Sequence, residues 1–152
     1  MTDRAEAAAH LSKVPIFSRL NDAVLQAMAE QSVDRQFAIG DRIAVNGAPN
    51  DGLFVIVEGE VEVTRHGRQL TVLSPGGFVG DLSLLDGEPH MVDAVATKPV
   101  TGVFLAGHQF RVVVKHYPEV SEAFVLVLVA RIREIVQQWE DREHQQASED
   151  PN

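Results

Sequence analysis

Apolar residues recur along this chain with two periods, and the change from one to the other divides it. Within the first forty residues Leu20, Val24, Leu25 and Met28 stand three and four apart, the spacing that lines one face of a helix. Asn21 or Asp22 is placed to cap the helix after Leu20, because a short polar side chain there accepts from the free N–H groups of the first turn. One or two small N-terminal helices are expected. From Phe37 the texture changes to short runs at 42–45, 53–57, 60–64, 70–73, 92–97 and 100–105. Between them stand Gly40 with Asp41, the stretch 47–52, His66 with Gly67, the stretch 75–77, and Lys98 with Pro99, all turn chemistry. In 60–64, Val61 and Val63 alternate with Glu60, Glu62 and Thr64, giving one buried and one wet face. Many short strands at this spacing suggest a jelly roll or barrel.

Beyond Gly107 the period is helical again. Tyr117 and Pro118 close one short helix, since the residue before a proline resists the α region, and a long helix is expected from 119 towards 146. In it Val125, Leu128, Ile132, Ile135 and Trp139 follow a 3-4-3-4 pattern, two heptads of a and d positions. The stretch 123–130 is apolar all round, and such a segment needs cover on two sides. Its own barrel on one face and a second copy on the other make a homodimer the expected state; the alternative is a helix sunk into its own domain. The polar, charged residues 140–152 are expected to fray. The division expected is an arm at 1–10, a domain at 11–142 including the long helix, and a disordered acidic tail at 143–152.

Charge and composition narrow the function. The 152 residues hold 13 lysines and arginines against 22 acids, a net charge of -9, and no cysteine. Disulfides, cysteine-ligated zinc, iron–sulfur clusters and thiol redox sensing are excluded. The cations are scattered, so the clustered charge that phosphate backbones need is missing and no direct DNA binding is expected. No stretch after the long helix suggests a helix-turn-helix, so any output is expected through an effector protein partner. The longest apolar run, 123–130, falls short of the ~20 residues that span a bilayer, and the N-terminus lacks a secretory pattern. A cytoplasmic protein without a membrane partner is expected.

No catalytic constellation is found. His10, His66, His90, His108, His116 and His144 form no close His-x-His pair, and there is no Gly-x-Ser-x-Gly, Gly-x-Gly-x-x-Gly or His-Glu-x-x-His. Glu58, Glu60 and Glu62 read as a solvated strand face. No enzyme, catalytic residue, metal or resident cofactor is expected.

One segment, 75–95, carries candidate chemistry. Gly76, Gly77 and Gly80 let backbone approach a ligand, and residues 81–85 suit one helical turn whose N–H groups face an anion. The plainer alternative is a turn with Asp81 as N-cap.

The run GGFVGDLSLLDGEPH, with VPIFSRL before it and FAIGDRIAVNGAPNDGLFVIVEGEVEV between, resembles the cyclic nucleotide-binding domain family of catabolite-activator-type regulators, cyclic-nucleotide-dependent kinases and gated channels. The resemblance spans 11–142, with Phe17, Gly40, Gly47, Gly59 and Gly80 in order. It implies an α+β, mainly β fold: an eight-stranded jelly-roll β-barrel, or β-roll, flanked by N-terminal helices and a long C-terminal helix. It also implies a phosphate-binding cassette at 80–93, whose ligand residues would be Gly80, Asp81, Leu82, Ser83, His90, Met91, Val92 and Asp93. The implied function is that of a stand-alone regulatory or sensor domain that binds cAMP or cGMP and transmits binding through the C-terminal helix.

The cassette departs from the family pattern of Gly-Glu-Leu-Ala-Leu and Pro-Arg-Ala-Ala-Thr. Asp81 replaces the glutamate that accepts from the ribose 2′-hydroxyl, and is one methylene shorter. His90 replaces the arginine that pairs with the cyclic phosphate; a guanidinium gives two charge-assisted bonds at any physiological pH, whereas an imidazole is mostly neutral at pH 7. Met91, Val92 and Asp93 replace Ala-Ala-Thr, and Asp93 puts a negative charge near the expected anion. Either the site holds a cyclic nucleotide or related small anion with ligand-induced charge on His90, or the fold serves another ligand or works ligand-free as an interaction and dimerisation module. His90 and Asp93 could also pair with each other. Aligned on Ala130 and Arg131, the long helix offers Val136 and Gln137 to a base. Gln137 could hydrogen-bond a base edge, while Trp139 suits dimer or core packing better than stacking.

Overall fold

The computed structural model describes residues 4–14, 17–80 and 86–149. Two helices, α1 (Arg4–Ser12) and α2 (Asp22–Gln31), precede eight strands: β1 (Val33–Phe37), β2 (Arg42–Ala44), β3 (Gly52–Glu58), β4 (Val61–Arg65), β5 (Arg68–Leu73), β6 (Phe78–Val79), β7 (Asp93–Ala96) and β8 (Val100–Ala106). Helices α3 (Gly107–His116) and α4 (Glu119–Glu149) follow. The strands form two four-stranded antiparallel sheets, ordered β1-β8-β3-β6 and β2-β7-β4-β5. This is the expected mainly-β jelly roll flanked by helices.

Two hydrophobic cores share the first sheet. One fills the roll, with Phe54, Ile56, Val61, Ala94, Val100 and Phe104 among its members. The other lies between the sheet's outer face and the helices, where Leu53, Val55, Val103 and Leu105 meet Leu25, Met28, Phe110 and Phe124. Because β3 serves both cores, its Leu-Phe-Val-Ile-Val run is apolar without alternation. The start of α4 is fixed by the ring of Phe124, edge-on to Phe110 at 5.0 Å and to Phe17 at 5.8 Å.

Asn21 is the cap of α2, its side chain accepting from Val24 N at 3.0 Å. Three differences from the sequence-based expectation stand out. Strand β1 lies in the stretch read as helical, because Arg35 occupies a position between Val33 and Phe37 where an alternating strand would carry an apolar residue. The two-residue strand β6 is too short for any periodicity. Helix α4 continues to Glu149, through residues expected to fray as a disordered tail. Within the segment 123–130, Ala123 and Phe124 are buried and Val125, Leu126 and Val129 are exposed. Among the described residues no helix is long and apolar enough to cross a membrane.

Candidate ligand pocket

The turn after β2 builds the site. Gly47 N donates to His90 O at 2.8 Å and His90 N donates to Ala48 O at 3.0 Å, so backbone bonds on both sides fix His90 outside any regular strand. Asn46 N donates to Asp93 Oδ1 at 2.9 Å, which ties the same turn to β7. Asp93 therefore serves the turn. Its neighbours Ala94 and Ala96 are buried, and since side chains alternate along a strand, Asp93 points away from the roll interior and does not line the pocket. The charge expected beside a bound anion has a structural partner instead.

Asn50 links this turn to the start of the cassette. Its Nδ2 donates to Gly80 O at 2.6 Å and its Oδ1 accepts from Gly52 N at 3.0 Å. Gly80 has φ +98, and a Cβ there would lie 2.4 Å from the Gly52 carbonyl oxygen. Only glycine suits such a conformation and so close an approach.

Between these elements lies a cavity of about 50 Å³ at the end of the roll interior, with Arg35, Asn50, Asp51 and His90 as its polar side chains and Phe37, Phe54 and Phe104 among its apolar ones. Burial lowers the His90 pKa from its ordinary 6.5, and the Asp51 carboxylate opposes this in part. The carboxylate acting on His90 is thus Asp51, not the Asp93 considered from sequence. The aromatic rings form one wall, with Phe37 edge-on to Phe54 at 5.2 Å.

Of the residues singled out in the sequence, His90 lines this cavity and Gly80 is bonded to Asn50, which also lines it. Val92 packs against the roll interior. Met91 is exposed, and its carbonyl accepts from Arg65 Nη1. Asp81, Leu82 and Ser83 lie outside the described residues. Gln137 is exposed on α4 with its amide towards Asp141 Oδ1 at 3.3 Å, and it does not line the cavity. Arg35, Asn50 and Asp51 were missed. Asn50-Asp51-Gly52 reads as a turn, and nothing in the pattern around Arg35 marked a strand.

Helix α4 reaches this region through Arg131, whose guanidinium carbon is 5.0 Å from the Phe78 ring centroid. Along the same helix Val125, Ile132, Ile135 and Trp139 are exposed, while Leu128 is half-buried.

The family model of the cyclic nucleotide-binding domain matches residues 34–117, more than half of the chain. The chain belongs to the cyclic nucleotide-binding domain family. This cyclic nucleotide-binding domain is 29% identical over 128 residues to the CRP-like cAMP-activated global transcriptional regulator of Mycobacterium tuberculosis, covering 81% of the chain and 57% of that protein. The chain thus spans little more than half the length of that relative. Thermus thermophilus catabolite activator protein superposes with a TM-score of 0.77 at 24% identity, over 85% of this chain and 63% of that one, which shows the fold. The regulatory subunit of a cAMP-independent protein kinase A from Trypanosoma cruzi, solved bound to guanosine, superposes with a TM-score of 0.68 at 25% identity, over 74% of this chain and 41% of that one.

Proposed function

We propose that this domain is a regulatory module that takes a cyclic nucleotide in the pocket beside Gly80 and His90 and passes its occupancy to α4. The observation that carries this reading is the convergence of Asn50, Asp51 and His90 on one cavity, with Asn50 bonded to the Gly80 carbonyl at the start of the cassette, in a chain of this family. A cavity of about 50 Å³ falls well below the ~300 Å³ at which pockets for whole small molecules begin. Ligand entry therefore requires the cassette or α4 to move. The Arg131–Phe78 contact lies two residues before Gly80 and gives cassette movement a direct route to the helix. Ligand then favours the arrangement with which it makes more contacts, a population shift.

Homodimerisation is the second part of the proposal. Val125, Ile132, Ile135 and Trp139 are exposed along α4 at the seam spacing, and a second copy of the helix is the occupant that a self-complementary 3-4-3-4 pattern fits. Leu128→Glu is expected to give a smaller species by size exclusion with light scattering. An unchanged mass would refute the seam.

Calorimetry with cAMP and cGMP at pH 6 and pH 7.5 tests the ligand. Heat that strengthens at pH 6 supports an imidazolium at His90 formed with the ligand, and no heat at millimolar nucleotide at either pH sinks the reading. A different ligand on the same fold is the second reading. It is favoured by the burial that holds His90 towards its neutral form and by a relative solved with guanosine, a nucleoside without phosphate. Binding of guanosine without binding of either cyclic nucleotide would decide for it.

A further inference from the structure

In the proposed binding mode the anion has no fixed cation within the cassette, because His90 stands where an arginine is expected and burial favours its neutral form. The first strand supplies one. Arg35 on β1 pairs directly with Gly102 of β8, and the absent side chain at 102 leaves the diagonal neighbour Phe104 open to it. The Arg35 guanidinium carbon sits 3.5 Å from the Phe104 ring centroid. A guanidinium held by its face against an aromatic ring keeps its N–H edge available to in-plane acceptors. Among the described residues Arg35 makes no ion pair, and it is the one permanent cation among those lining the cavity, which it shares with Asn50, Asp51 and His90. About 50 Å³ holds a few waters, the scale of a phosphate group rather than of a nucleoside.

Given the pocket as the ligand site, on which this depends, we propose that Arg35, from outside the cassette, holds the phosphate of the ligand, and that the phosphate is a singly charged diester. The Arg35 fork donates to two phosphate oxygens, and His90 contributes an N–H donor. Asp51 beside them sets the charge preference. One positive and one negative side chain suit a monoanion, whereas a dianionic phosphate monoester faces added repulsion from the carboxylate.

The test is calorimetry at pH 7.5 on the full chain, wild type against Arg35→Met, which keeps an apolar stem over Phe104, and Arg35→Lys, which keeps the charge without the fork. Unchanged amide spectra and urea midpoints establish that both variants fold. cAMP binding is expected to weaken about 10- to 100-fold in Arg35→Met, as for loss of a charge-assisted bond, and to fall between the two in Arg35→Lys. 5′-AMP and inorganic phosphate are expected to bind wild type more weakly than cAMP. Arg35→Met binding cAMP within twofold of wild type overturns the role of Arg35 and leaves the pocket as the ligand site. Wild type that binds no cyclic nucleotide overturns the site and Arg35 together. Inorganic phosphate binding as tightly as cAMP, and depending on Arg35, overturns the diester assignment.

Discussion

Gly80→Ala probes the junction on which the site is built. Two effects add. At φ +98 an L-residue is strained by about 1–2 kcal/mol. The new Cβ would also lie 2.4 Å from the Gly52 carbonyl oxygen and 3.2 Å from Asn50 Oδ1. Gly52 is held in register against Ala106 of β8, so its backbone cannot retreat cheaply, and forced overpacking of this kind costs about 1–3 kcal/mol. The sum, about 2–5 kcal/mol, is a large fraction of the 5–15 kcal/mol that holds typical domains together. Gly47→Ala separates the two effects, because Gly47 has φ +85 with nothing within 4 Å of an added Cβ, leaving the conformational part alone. Urea unfolding followed by circular dichroism should place the Gly80→Ala midpoint on the order of 1–2 M below wild type, with Gly47→Ala clearly less affected. Equal losses in the two variants, or a Gly80→Ala loss under about 1 kcal/mol, would refute the close approach of Gly80 to Gly52.

Three further outcomes follow from the same geometry. Phe124→Ala should destabilise by about 3–5 kcal/mol in urea, because the ring is 1% exposed and edge-on to Phe17 and Phe110; a loss under about 1.5 kcal/mol would mean that α4 is not anchored there. Asp93→Ala should cost about 1–2 kcal/mol through the Asn46 N–H left without its acceptor, and Asp93→Asn should leave cAMP affinity within twofold by calorimetry, whereas a tenfold gain would place the charge against the ligand. The lowered pKa of His90 means that the unfolded chain binds more protons just below pH 6.5, so this contribution to stability is full above that pH and declines as pH falls towards the folded pKa. Urea midpoints at pH 7.5 and 5.5 should therefore separate more in wild type than in His90→Gln, and equal separations would contradict the lowered pKa of the half-buried imidazole.

The roll was legible wherever a strand serves one or two apolar surfaces without exception. The unbroken run in β3, the Val61 and Val63 alternation in β4 and the Asn21 cap each carry their cause in the sequence. Strand β1 was not legible, because Arg35, exposed at the position between Val33 and Phe37, makes a ring contact with Phe104 that only the paired strands reveal. The site divided in the same way. Gly80 and His90 stand inside a recognisable run, whereas Asn50 and Asp51 carry the chemistry of an ordinary turn and become site residues only when β3 and β6 bring Gly52 against Gly80. Asp93 illustrates the reverse case: its charge was visible, but which way it faces depends on the register of β7 against β4. Its hydrogen bond to Asn46 could not be read from spacing, since 47 residues separate donor and acceptor.

Ligand entry at the cavity beside Gly80 and His90 can be followed by an amide-detected NMR titration of ¹⁵N-labelled protein with cAMP. Saturable shifts are expected at Asn50, Gly52, Gly80 and His90, with smaller ones around Arg131 on α4. Saturable shifts confined to other parts of the fold, or none at millimolar cAMP, would contradict it.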